Sequence, residues 1–150
     1  MKVFIAADHA GFIKKQGLAK KLEDSYELFD MGPYKLDPDD DYPLYAKKVS
    51  LAVTENAKSM GILICHSGEG MAIAANKVKG IRAVAVLNKS QAFETRQDND
   101  SNVLSLSSGE LSDKQLYEIS KLWLDTPFSE LARHKRRIEE IGQIESESAL

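Results

Sequence analysis

The strongest constraint on the fold of this chain is a repeated change of rhythm. Short apolar runs without clean polar alternation are each followed by a longer stretch with helical spacing. VFIAA (3–7), ILIC (62–65), RAVAVL (82–87) and the segment 103–106 carry the first pattern, with a shorter run at 26–29. Segments 12–23, 44–56, from about 71, 91–97, 111–124 and 129–144 carry the second. Strands that stay apolar on both faces are those of a parallel sheet covered by helices on each side. Right-handed crossovers then give a doubly wound, three-layer α/β domain with five strands, expected to span 1–150 as one unit.

Within this frame Phe12, Leu18 and Leu22 are expected to face the core from the first helix, and Leu44, Val49 and Val53 from the second. Ser129 is the expected cap of the last helix. Leu131, Ile138 and Ile141 are expected to bury the side of that helix opposite its arginines. Trp123 and Phe128 read as core or interface residues.

Composition excludes several function classes. One cysteine in 150 residues rules out an intrachain disulfide framework and a multi-cysteine metal site. A formal charge of -3 gives no reason to expect nucleic acid as a partner. No stretch approaches the roughly 18 apolar residues of a membrane span, and the N-terminal apolar run is too short for a signal peptide. The expectation is a cytoplasmic protein.

In an open parallel sheet, chemistry gathers beyond the carboxyl ends of the strands. Asp8-His9-Ala10-Gly11 and Cys65-His66-Ser67-Gly68-Glu69-Gly70 both fall there. The run Arg96 to Asn102 precedes a strand, so it belongs on the far rim and can serve a neighbouring subunit. The SGEG loop (67–70) is either a plain turn or a concavity of N–H groups that stabilises an anion and lowers the pKa of a thiol beside it. Cys65 is either a small hydrophobe closing a buried strand or a reactive group. As a reactive group it suits proton abstraction next to a carbonyl, or nucleophilic attack if an imidazole pairs with it. Arg133 and Arg137 share a helix face, either as a phosphate clamp or as a solvated basic turn.

The motifs ADHAG (7–11), DYP (41–43), ILIC-x-SGEG-x-x-IAANK (62–77), GIRA (80–83), R-x-x-ND-x-NV (96–103) and RH-x-x-R (133–137) occur in this order along nearly the whole chain. The set resembles the ribose-5-phosphate isomerase B family, with its related galactose- and allose-phosphate isomerases. The resemblance implies a Rossmann-like αβα sandwich with a five-stranded parallel sheet and an extra C-terminal helix. It also implies an aldose–ketose isomerase without metal or other cofactor, acting on ribose 5-phosphate and ribulose 5-phosphate. Its homodimers or tetramers build each site from two subunits. By the same resemblance Cys65 is the base, Ser67 assists proton return, and the N–H groups of Gly68 and Gly70 form the oxyanion nest. Asp8 helps to open the sugar ring, His9 contacts phosphate, Asn99 holds the open chain, Arg133 and Arg137 grip the phosphate, and Tyr42 lies on the substrate side. Met71 stands where one branch of the family has a glutamate base, so this chain resembles the cysteine type.

Four positions depart from the pattern. Asp98 replaces a ring-opening histidine, His66 replaces a glycine, and Gly109 falls near a frequent arginine. Leu131-Ala132 replaces a glycine pair. They imply an altered substrate or altered ring opening, in which Asp98 or His66 contributes a proton-transfer group. The alternatives are an isomerase of allose or galactose 6-phosphate, a catalytically weakened sugar-phosphate-binding homologue, or a Cys-His hydrolase or transferase.

Overall fold

The structure is a computed structural model and describes residues 1 to 148. Five strands, β1 (Lys2–Ala7), β2 (Glu27–Asp30), β3 (Met60–Cys65), β4 (Ala83–Val86) and β5 (Val103–Ser107), form one sheet in the order β2-β1-β3-β5-β4, and every pairing is parallel. Six helices connect and follow them: α1 (Phe12–Leu22), α2 (Tyr42–Glu55), α3 (Glu69–Ala75), α4 (Lys89–Asn99), α5 (Asp113–Asp125) and α6 (Ala132–Glu147). The three-layer sandwich expected from the rhythm of the sequence is what forms, with boundaries moved by a few residues.

The two faces of the sheet bury different sets. Val3, Ile5, Ile62, Ile64, Leu104 and Leu106 point toward α1, α4 and α5, where Leu18, Leu22, Ala92, Ile119 and Trp123 cover them. Phe4, Ala6, Leu63 and Cys65 point toward α2 and α3, against Val49, Val53 and Met71. Trp123 is fully buried, and its indole N–H donates to Ser101 Oγ at 2.8 Å.

β1 and β3 are neighbours whose connections leave in opposite directions, so their carboxyl ends flank the switch point of the sheet, where an open α/β fold leaves a crevice. Ala7 pairs with Ile64 in register, which sets Asp8 and Cys65 side by side at that crevice.

Three expectations about the helices fail. Leu44 is largely exposed, because α2 begins at Tyr42 and its buried stripe runs through Ala46, Val49, Ser50 and Val53. Ser129 does not cap α6. Glu130 takes a left-handed φ of 59°, the helix starts at Ala132 after Leu131, and the Ser129 hydroxyl bonds His134 Nδ1 at 2.8 Å instead. Leu131 and Ile141 remain 44% and 48% exposed, and Ile138 is only half-buried. His134 is the buried residue of α6, because this helix lies beyond the sheet and meets its own chain mainly along α4.

Candidate active site

β3 ends at Cys65, and the chain then turns sharply into α3. Gly68 makes the turn with a φ of +82°, a conformation that favours glycine. Its N–H donates to Cys65 Sγ at 3.2 Å, and its carbonyl accepts from Ser105 Oγ at 2.5 Å. Two residues further along the same strand, Ser107 Oγ donates to the His66 carbonyl at 2.7 Å. The alternation of β5 explains both contacts. Leu104 and Leu106 enter one core while Ser105 and Ser107 face the opposite side, where they tie down the loop. Neither serine is among the sequence-based candidates; the available signal is two hydroxyls alternating with leucines in a buried strand.

The thiol of Cys65 is buried. Burial pushes its pKa above the ordinary 9.0, the N–H groups of Met71, Gly68 and Ser67 act the other way, and the charge of Asp8 raises it further. The loop N–H groups lower the pKa of this thiol as expected, but desolvation outweighs them. Gly68 N–H is also directed at sulfur and not into an open nest. Gly70 N–H lies in the first turn of α3, where no helical carbonyl precedes it. Tyr42 covers it: a Cβ built on Gly70 would lie 2.9 Å from the phenol ring. Ser67 is exposed at the mouth, its Oγ accepting from Glu69 N–H at 3.3 Å. The Met71 side chain is fully buried in the core beneath.

Asp8 is buried at the end of β1. Its Oδ1 accepts from Gly11 N–H at 3.1 Å, and its own N–H bonds the Ile64 carbonyl across to β3 at 3.2 Å. His9 is exposed and turned to the loop between β2 and α2, where Asp40 receives its Nδ1 at 2.7 Å. His66 turns toward the loop after β5 and its ring lies over Gly109. Among the described residues, no hydrogen bond joins either imidazole to the thiol.

Asp8, His9, Tyr42, Cys65, His66, Ser67, Gly68 and Gly70 thus converge on one edge. Asp98, Asn99, Arg133 and Arg137 do not. Asp98 and Asn99 end α4, which runs from the carboxyl end of β4 back to the amino end of β5, and α6 begins beside them. The four residues lie on the opposite rim of the chain, as the position of the 96–102 run implied.

A small polar cluster organises that rim. His134 is buried, its Nδ1 bonds Ser129 Oγ, and its Nε2 accepts from Arg133 Nε at 3.1 Å. Asp98 Oδ1 stands 3.6 Å from His134 Nδ1. Arg96 and Arg82 both pair with Asp100, at 2.6 and 3.0 Å, and hold the turn into β5.

The model of the family described as Ribose/Galactose Isomerase matches residues 3–141. A probable ribose-5-phosphate isomerase B of Mycoplasma genitalium is 40% identical over 148 residues, covering 97% of each chain. A ribose-5-phosphate isomerase B of Escherichia coli is 40% identical over 145 residues, covering 96% of each. The crystal structure of ribose-5-phosphate isomerase B from Mycoplasma genitalium with bound ribulose-5-phosphate superposes with a TM-score of 0.93 at 38% identity, covering 97% of each chain.

Proposed function

This chain belongs to the ribose/galactose isomerase family, and on that premise we propose that it interconverts ribose 5-phosphate and ribulose 5-phosphate. The observation that carries the mechanism is the setting of Cys65: a thiol at the switch point, held by a backbone N–H, beside Asp8 and, among the described residues, bonded to no imidazole. Such a group suits proton transfer better than nucleophilic attack, because a nucleophilic thiol is activated by a paired imidazole or a lowered pKa, and burial raises the pKa of this one.

In the proposed reaction Asp8 takes the proton of the O1 hydroxyl as the ring opens. An acid on the other side of the sugar protonates the ring oxygen; in this proposal that acid is Asp98 of a second copy, which can donate only while protonated. The Cys65 thiolate then removes the proton from C2 of the open aldose. The C–H electron pair becomes the C1–C2 double bond of an enediolate, and the carbonyl oxygen takes up the charge. Gly70 N–H donates to the developing oxyanion, and the Ser67 hydroxyl assists the return of the proton. The proton returns to C1, an oxygen-bound proton moves from O2 to O1, and the ketose forms. Tyr42 closes the substrate side and His66 borders the pocket, while Asn99 holds the extended chain. His9, Arg133 and Arg137 receive the phosphate.

This scheme needs two copies of the chain. Arg133, Arg137, Asp98 and Asn99 lie on the rim away from Cys65, and α6 exposes Ile141 and Ile144 along a groove of about 610 Å3 that Ile81 also lines. A second copy that covers this apolar surface and brings its rim to the crevice gives a homodimer with shared sites, on which a tetramer can be built. No helix of the described residues is long and apolar enough to cross a membrane. A working thiol suits a reducing compartment, so the proposal puts the enzyme in the cytoplasm.

The test is incubation of the purified protein with ribose 5-phosphate, following ketose formation and exchange of the C2 proton with deuterated solvent. Neither product nor exchange would leave only a sugar-phosphate-binding role. The His66 ring over Gly109 favours one second reading, a shifted substrate, for which conversion of allose 6-phosphate in preference to the pentose is the sign.

A further inference from the structure

Asp40 is absent from the motifs that carry the family resemblance, yet it makes the closest contact to His9. Both the backbone N–H of His9, at 3.0 Å, and its Nδ1, at 2.7 Å, meet the same oxygen, Asp40 Oδ1. Two contacts from one residue to one atom fix the ring and the backbone together. The burial is asymmetric: the Asp40 side chain is 6% exposed and that of His9 is 42% exposed. Asp40 Oδ2 is buried with no hydrogen-bond donor among the described residues. A carboxylate so enclosed depends on a cation beside it. Among the described residues, the charged groups acting on the imidazole are carboxylates: Asp8 at its own strand end, and Asp37 and Asp40 on the loop before α2. From α2 the Tyr45 hydroxyl faces Asp40, and burial together with that carboxylate makes it harder to ionise.

We infer that Asp40 is the positioning residue of His9, holding Nδ1 inward so that Nε2–H stands as a charged donor to the phosphate of the substrate. The inference rests on the isomerase reading of the site and adds to it the origin of one phosphate contact. The loop before α2 thereby places a buried carboxylate behind an exposed imidazole. The surroundings of His9 raise its pKa above 6.5, with the bond to Asp40 as the largest cause. Without Asp40 the ring is more often neutral at pH 8 and free to rotate.

The experiment is the D40N variant, with D40S as a second form in case the amide itself rearranges. Imidazole nitrogen NMR, with H9Q to assign the signal, follows the titration of His9 in wild type and variant, alone and with inorganic phosphate. Steady-state kinetics with ribose 5-phosphate run at pH 6 and pH 8. The expected result is a lower titration midpoint for His9 and a KM about tenfold higher at pH 8, the scale of one charge-assisted hydrogen bond. That difference fades at pH 6, kcat changes little, and D40N adds nothing to H9Q. An unmoved His9 midpoint, or an equal KM penalty at both pH values, overturns the inference. If wild type converts no ribose 5-phosphate, the isomerase reading fails by itself, and the His9 titration with and without phosphate still decides the role of Asp40.

Discussion

The imidazole of His66 occupies the space that a side chain at position 109 would need: a Cβ built on Gly109 would lie 2.8 Å from His66 Cε1 and 3.1 Å from Nδ1. Two departures from the family pattern, a histidine for a glycine and a glycine near an arginine, thus meet in one contact. The seat is firm, because Gly109 N–H donates to the His66 carbonyl at 3.0 Å and Lys14 Nζ ties the Ser108 carbonyl at 2.7 Å.

A methyl group at 109 should therefore unseat the ring. G109A is expected to raise KM by about tenfold through one lost or misplaced contact, and H66G to do the same. The double variant is expected to be no worse than either single one, since the clash needs both groups. Additive losses in a kinetic double-mutant cycle would show that the two positions act separately.

The base assignment predicts a pH profile. The pKa of the Cys65 thiol lies above 9.0, mainly through burial, so the thiolate fraction is small at pH 7 and grows tenfold per pH unit below that pKa. kcat/KM should climb with pH through 9 and not level off near neutrality. C65A is expected to lower kcat by about 10² to 10⁴-fold, the usual span for a proton-transfer group. A flat profile above pH 7, or activity surviving C65A, would move the base elsewhere.

Ser105 supports the loop from below. Its buried hydroxyl donates to the Gly68 carbonyl, whose own N–H holds the sulfur. S105A is expected to cost about 1 kcal/mol of stability, because the carbonyl keeps a second donor in Ala72 N–H. The denaturation midpoint in urea measures the stability change, and kcat reports whether the loop has loosened.

Stability and pH are linked through His9. Its pKa is raised above 6.5 in the folded chain, so the pair with Asp40 contributes fully below about pH 6.5 and is lost as pH rises through the raised value. In D40N the melting temperature should vary less with pH across that window. Parallel curves for the two proteins would show that the pair contributes nothing to folding.

The proposed sharing of sites between two copies predicts rescue by mixing. C65A and R137A homodimers should each be nearly inactive, while dissociated and reassociated mixtures should recover about a quarter of wild-type activity, from the one intact site of each mixed dimer. No recovery from a mixture proven to contain mixed dimers would mean that Cys65 and Arg137 act within one chain.

Much of this was legible in the sequence because it is written locally. Apolar runs such as ILIC and VFIAA separated by helical spacing determine a parallel sheet with covered faces, and strand ends determine where Asp8 and Cys65 stand. Other expectations failed where burial depends on what a helix meets. Leu44, Leu131 and Ile141 are apolar at helical spacing, yet nothing in their own chain covers them fully.

The tertiary structure alone decided the groups that tune the site. His9 and Asp40 are 31 positions apart and Ser105 and Gly68 are 37 apart; each contact exists because loops and strands from distant segments end at one edge. It also decided that burial outweighs the N–H groups around the Cys65 thiol, since both effects scale with packing that no residue pattern encodes. The sequence by itself determines which residues reach the edge of the sheet. What they touch there follows from the path of the whole chain, because contacts between remote segments are set by packing and not by local period.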